Sequence, residues 1–149
     1  MQRSRNMRVL AEMAVLRDLQ VAAAQAEAGR TAAEVRTLTD RRDTAIEERA
    51  AIEEGWNGLL TGDRLEPDAS QRWARSWRDQ DARVRQDELD LAMASQEDAD
   101  RRAEWGAATH NRDAARQQHD RASRTLRRLR DEARVHEAAE RVPRGEEEA

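Results

Sequence analysis

The sequence predicts an all-α chain, a long antiparallel two-helix coiled-coil hairpin, on three observations. Ala, Glu, Arg and Leu supply about half of the 149 residues, all strong helix formers, and only two prolines interrupt them. Apolar residues recur in heptads through both halves of the chain. Between the halves lies Gly55 to Trp77, with three of the six glycines, one of the two prolines and three of the four tryptophans.

Composition limits the alternatives. Leu, Ile and Val together number 20, and Phe and Tyr are absent, which is too little to fill a globular core. Such a chain is either disordered or an elongated helix with a thin seam. The 27 basic and 31 acidic residues are mixed and leave a net charge of only -4, so self-repulsion does not hold the chain expanded, and helix is the reading taken. Zero cysteines exclude disulfides and thiolate metal sites. The N-terminal residues are basic, but Arg8, Glu12, Arg17 and Asp18 break their apolar run, so no signal peptide is read. No run approaches the ~20 apolar residues of a membrane span. The expectation is a soluble, cytoplasmic protein.

The first helix is expected over residues 5–58. Alternate steps of four and three give Leu10, Ala14, Arg17, Val21, Ala24, Ala28, Thr31, Val35, Leu38, Arg42, Ala45, Arg49, Ile52, Trp56 and Leu59, with no slip of register. Met7, Val9, Met13, Leu16 and Leu19 fall off this seam and give the first turns a second apolar face. Gly29 lies mid-helix, where glycine costs ~1 kcal/mol relative to alanine, and predicts a soft spot, not a break. The turn is expected over 59–66. Gly55, Asn57 and Gly58 can adopt the left-handed conformation that ends a helix. Gly62-Asp63 suits a turn, and Pro67 suits the first turn of the next helix, with Asp68 or Ser70 as cap.

The second helix is expected over 67–142, followed by a disordered acidic tail, 143–149. Its seam runs from Trp73 and Trp77 through Gln80, Val84, Asp87, Leu91, Ala94, Asp98, Arg101, Trp105, Ala108, Arg112, Ala115 and His119 to Ala122, Leu126, Leu129, Ala133 and His136. Folding Trp56 onto Trp73 sets Ile52 against Trp77, Ala45 against Val84, Leu38 against Leu91 and Ala24 against Trp105. It also sets Val21 against Ala108 and Leu10 against His119, and pairs the seam charges Arg42 and Asp87. Arg17 meets Arg112, so both must turn their charges outward. Trp56, Trp73, Trp77 and Trp105 read as clamps of the hairpin in preference to a partner site.

In this alignment the second helix outruns the first. Residues from about Ala122 to Val142 lack a partner, yet Leu126, Leu129, Ala133 and Val135 continue an apolar stripe among Arg121, Arg124, Arg127, Arg128, Arg130 and Arg134. Arg3, Arg5 and Arg8 fall at the same end. Three readings stay open there: solvated surface, a protein partner with an acidic and partly apolar surface, and, least favoured, nucleic acid. Asp120, Asp131, Glu132 and Glu137 dilute the arginines, and no base-stacking aromatic lies among them. For catalysis there is no phosphate-binding loop, no GxGxxG and no HExxH. His110, His119 and His136 read as seam-edge or surface residues. A thin seam offers no pocket to perturb a carboxylate, so no enzyme activity, small-molecule substrate, cofactor or metal is expected.

The glycine-containing loop, followed by Ser70-Gln71-Arg72-Trp73 and then Trp77, with Trp105 further along, resembles the loop-to-helix junction of the FliJ family of flagellar export proteins. The type III secretion stalk proteins of the YscO class are similar in architecture. The resemblance implies a non-enzymatic stalk of a flagellar or type III protein export apparatus. Such a stalk inserts into a hexameric export ATPase and contacts the export gate protein and export chaperones. It implies a cytoplasmic protein peripheral to the membrane export apparatus. The ATPase end would be the open end, with Arg3, Arg5, Arg8, Arg124, Leu126, Arg127, Arg128, Leu129, Arg130 and Arg134. The family has apolar residues just after the junction, where this chain has Asp79, Arg83 and Gln86, a departure at the gate contact. A generic coiled-coil adaptor or structural protein is the alternative.

Overall fold

A computed structural model describes residues 2–62, 64 and 66–141, with the side chains of 2–4 left aside. The chain is an all-α hairpin of two helices that pack against each other, α1 (Gln2–Leu60) and α2 (Pro67–Glu140). No strand occurs among the described residues. The expected acidic tail, 143–149, lies outside them. By contact density the chain divides into two compact units, Ala24–Trp105, and Met1–Ala23 with Gly106–Ala149.

The first unit contains the turn. α1 runs past its expected end at Gly58, and no described residue has the positive φ that Gly55, Asn57 or Gly58 could have adopted. The helix instead runs to Leu60 and closes with backbone bonds from Thr61 N to the Asn57 carbonyl (3.2 Å) and Gly62 N to the Leu59 carbonyl (3.3 Å). The Thr61 hydroxyl donates to the Gly58 carbonyl at 3.0 Å, so a side chain does for the terminal carbonyls what a left-handed glycine would otherwise do. α2 opens on Pro67, which has no N–H to leave unpaired. Ser70 is not the cap: its N–H and hydroxyl both point back to the Glu66 carbonyl.

Above the turn, Trp56 and Trp73 stack with ring centroids 4.3 Å apart and planes 23° from parallel. Trp73 Nε1 donates to the Ile52 carbonyl at 2.6 Å, and Trp77 Nε1 to Glu53 Oε1 at 2.9 Å. The indoles therefore present apolar faces to the seam and polar edges to α1.

The rest of this unit's seam is half polar. Its fully buried residues are Ala28, Ala45, Val84 and Ala94, with Thr31, Gln80, Asp87 and Asp98 among them. Each polar residue reaches across. Gln80 Nε2 donates to the Ala45 carbonyl (3.0 Å) and Glu48 Oε2 (2.9 Å). The Thr31 hydroxyl donates to Asp98 Oδ1 at 2.9 Å, and Arg102 holds Asp98 Oδ2 at 2.8 Å.

Asp87 corrects one expected pair. Its partner is Arg41, at 2.7 Å, and not Arg42, which turns outward to Asp43. From the edge of the seam Arg41 reaches the carboxylate while half of its side chain stays exposed, avoiding the desolvation a guanidinium within the seam would suffer. Asp87 Oδ2 is buried without a hydrogen-bond partner among the described residues. Arg41 also holds Asp90. Gln86, and then Arg41, keep the Asp90 carboxyl below its ordinary value. Its contribution to folding is thus present above that ordinary value and is lost as pH falls through the lowered one.

Trp105, expected as a clamp, is 37% exposed. The small alanine set opposite it, Ala24, cannot cover an indole, and a two-helix seam has no third element to close over it.

In the other unit, Val21 is the buried apolar residue, and Leu10, Ala14, Ala108, Ala115, Ala122 and Leu126 are half-buried. Asp18 and Arg116 bridge the two helices at 2.8 Å. Arg17 and Arg112, set against each other by the register, direct their charges away from it, Arg17 to Gln20 and Arg112 to Asp113.

Three outcomes follow for stability. Gly29 is exposed and helical, and a Cβ there would meet nothing within 4 Å. Gly29→Ala should stabilise by about 1 kcal/mol in urea denaturation; a loss would show that the site is not an open helix interior. Trp73→Ala removes the stack and the bond to Ile52 and should cost about 2–4 kcal/mol. Thr31→Val leaves Asp98 Oδ1 buried without its donor and should cost about 1–2 kcal/mol. Thr31→Val with Asp98→Leu should cost less than the two single changes summed, and additivity in that cycle would mean the pair is not coupled.

Candidate functional site

The helix surfaces differ in how their arginines are used. In the unit 24–105, Arg30, Arg41, Arg42, Arg49, Arg83, Arg85, Arg101 and Arg102 lie within ion-pair distance of a carboxylate, whereas Arg36, Arg72, Arg75 and Arg78 form no ion pair among the described side chains. In the other unit, Arg8 pairs with Glu12, Arg112 with Asp113 and Arg116 with Asp18. Arg5, Arg124, Arg127, Arg128, Arg130 and Arg134 are exposed and form no ion pair among the described side chains. Asp131 and Glu132 are near them in sequence but do not bind them.

These unpaired arginines flank apolar surface. Asn6, Met7 and Leu10 of α1 and Ala122, Thr125, Leu126 and Leu129 of α2 line an open groove of about 410 Å³. Beside it, Arg124, Arg127, Arg128, Asp131, Glu132, Val135 and His136 border a shallower concavity of about 760 Å³ along α2. The groove forms because α1 offers Met7 and Leu10 where α2 still carries its seam leucines. Past Leu126 the α2 seam loses its cover: Leu129, Ala133 and His136 are all exposed.

The structure therefore brings Leu126 and Leu129 together with Leu10 and places Arg124, Arg127 and Arg128 beside them. Arg5 and Arg8 are exposed on α1 of the same unit, while the Arg3 side chain lies outside the described residues. Of the groove lining, the expected site held only Leu126 and Leu129; Asn6, Leu10, Ala122 and Thr125 are missing from it, and so is Met7. Its signal was present, since Met7 sits three residues before Leu10 and so on a neighbouring helix face. Trp56, Trp73 and Trp77 are half-buried in the hairpin, and Trp105 is not.

His110 and His136 are exposed, and His119 is half-buried with Nδ1 3.6 Å from Asp120 Oδ1. Among the described residues no three His, Asp or Glu side chains gather as metal ligands. No described helix is long and apolar enough to cross a membrane. The arrangement offers an apolar groove with guanidinium groups of α2 to one side of it, a chemistry suited to recognising carboxylates beside apolar side chains.

Comparison with protein-family models, with curated proteins and with solved structures finds no match to this chain.

Proposed function

We propose that this protein is a non-catalytic helical hairpin that docks onto a protein partner through the unit formed by its two termini. The observation that carries the reading is the row of unpaired arginines beside the Leu10–Leu126–Leu129 groove. Guanidinium groups without a carboxylate among the described side chains, in a chain rich in carboxylates, are available to a partner. Apolar side chains between them supply the desolvated centre that a specific interface needs. The partner surface complementary to this one is acidic and partly apolar.

The resemblance of the turn junction to the FliJ and YscO-class stalks makes a hexameric export ATPase the first such partner to test. In that reading the hairpin links the ATPase to the export gate and to export chaperones and has no catalytic role of its own. Nucleic acid is the weaker reading, because the arginines stand among Asp131 and Glu132 and have no aromatic platform.

Arg127→Glu with Arg128→Glu leaves the seam untouched and reverses the charge beside the groove. In a pull-down with a hexameric export ATPase, the intact chain should bind and raise ATP hydrolysis, and the double variant should bind at least tenfold more weakly. No binding by the intact chain removes the ATPase as partner, and equal binding by the variant removes this surface. Salt-sensitive retention of the intact chain on DNA or RNA, without ATPase binding, would favour nucleic acid.

A further inference from the structure

The same chain carries apolar surface that neither the seam nor the groove uses. Val9, Met13, Val15, Leu16 and Leu19 of α1 are all exposed, and Leu19 keeps 64% of its surface. Val9, Met13 and Leu16 recur at i, i+4 and i+7, the spacing of one ridge on a helix. At ~100° per residue the ridge lies roughly 110° around α1 from the seam side marked by Leu10, Ala14 and Val21, clear of the seam contact. In the unit 24–105, α2 exposes a matching i, i+4 pair, Leu89 and Met93, and Met93 is the most exposed large apolar side chain described, at 74%.

Charge decides what these two faces would meet. The unit containing Val9 to Leu19 holds 14 arginines against 11 acidic residues, a net of +3, whereas the unit 24–105 holds 13 against 20, a net of -7. Along the α1 ridge stand Arg5, Arg8 and Arg17 against Glu12 and Asp18; along the stretch of α2 that carries Leu89 and Met93, Arg85 stands against Glu88, Asp90, Glu97 and Asp100. Two α1 ridges placed face to face would gain no net charge attraction. An α1 ridge placed on the Leu89–Met93 face of another molecule joins opposite charges over an apolar contact.

We infer that this protein binds a second copy of itself head to tail, the α1 ridge Val9–Met13–Leu16 of one molecule lying on the Leu89–Met93 face of the other. Ridge-against-ridge contact of this kind is ordinary helix packing, with interhelical attraction supplied by the surrounding charges. The contact is separate from the groove at Leu126 and Leu129 and stands or falls independently of the partner proposed above.

The test is the mass of the full chain alone, by sedimentation velocity from micromolar to millimolar concentration. At ~50 mM salt the average mass should rise with concentration above the 17.1 kDa monomer. At ~1 M salt it should return toward the monomer, because screening weakens charge attraction, whereas purely apolar association would strengthen. Met13→Gln with Leu16→Gln on one face, and separately Leu89→Gln with Met93→Gln on the other, should each weaken association about tenfold or more, with helical circular dichroism unchanged. A monomer throughout at low salt overturns the inference. So does association that the first variant abolishes and the second leaves intact, because α1 would then be meeting something other than the Leu89–Met93 face.

Discussion

Each side chain in a seam between two helices is covered from one side only, by whatever residue stands opposite it. That constraint governs both units of this protein. In a globular core a misfit at one position is shared among many neighbours; here it stays local. Val84, set against Ala45, is almost wholly buried, whereas Trp105, set against an alanine, leaves much of its ring in solvent. The tryptophans near the turn succeed because they meet each other, and because their nitrogens find acceptors on α1. Large residues are thus tolerated only where the opposite helix supplies equal area or a hydrogen bond.

The same constraint explains why so much of the buried seam is polar. Thr31, Gln80, Asp87 and Asp98 would be costly in an apolar core, yet each reaches a partner across the interface. These bonds form in one register and break in neighbouring ones. An alanine seam says little about register, because alanine fits against almost anything. The polar layers supply that information, as buried polar positions do in other coiled coils. The surface of the unit 24–105 follows the same pattern, with most of its arginines held by carboxylates. In the other unit fewer arginines are paired among the described side chains, and those of α2 stand beside Leu126 and Leu129, which is what the proposed partner site rests on.

Much of this was legible in the sequence. The two heptad registers, anchored on Leu10 and Trp73, mark the residues that the structure buries or half-buries from Leu10 to Trp56 and from Trp73 to Arg101. The Trp56–Trp73 contact followed from the choice of turn. Pro67 at the start of α2 and the passage of α1 through Gly29 followed from backbone chemistry. For the candidate site, the stripe of Leu126 and Leu129 with arginines around it was visible as a seam running on after its partner had ended. Met7 was legible only as an apolar residue off the seam, because its place in the groove depends on where α1 sits against α2.

What the sequence determined by itself, then, was helix and seam, since both depend on periodicity and propensity within ten or so residues. Tertiary structure decided which of two adjacent arginines pairs with Asp87. Spacing favours Arg42, which lies on the seam, and the cost of desolvating a guanidinium there favours Arg41 at its edge. It decided that α1 would end on the hydroxyl of Thr61 and not on a left-handed glycine, a choice between two ways of satisfying the same carbonyls. It decided that Trp105 would stay open to solvent, because burial depends on what stands opposite. And it decided which arginines remain unpaired, because ion pairing depends on side-chain reach across two helices and not on the tally of charges along one.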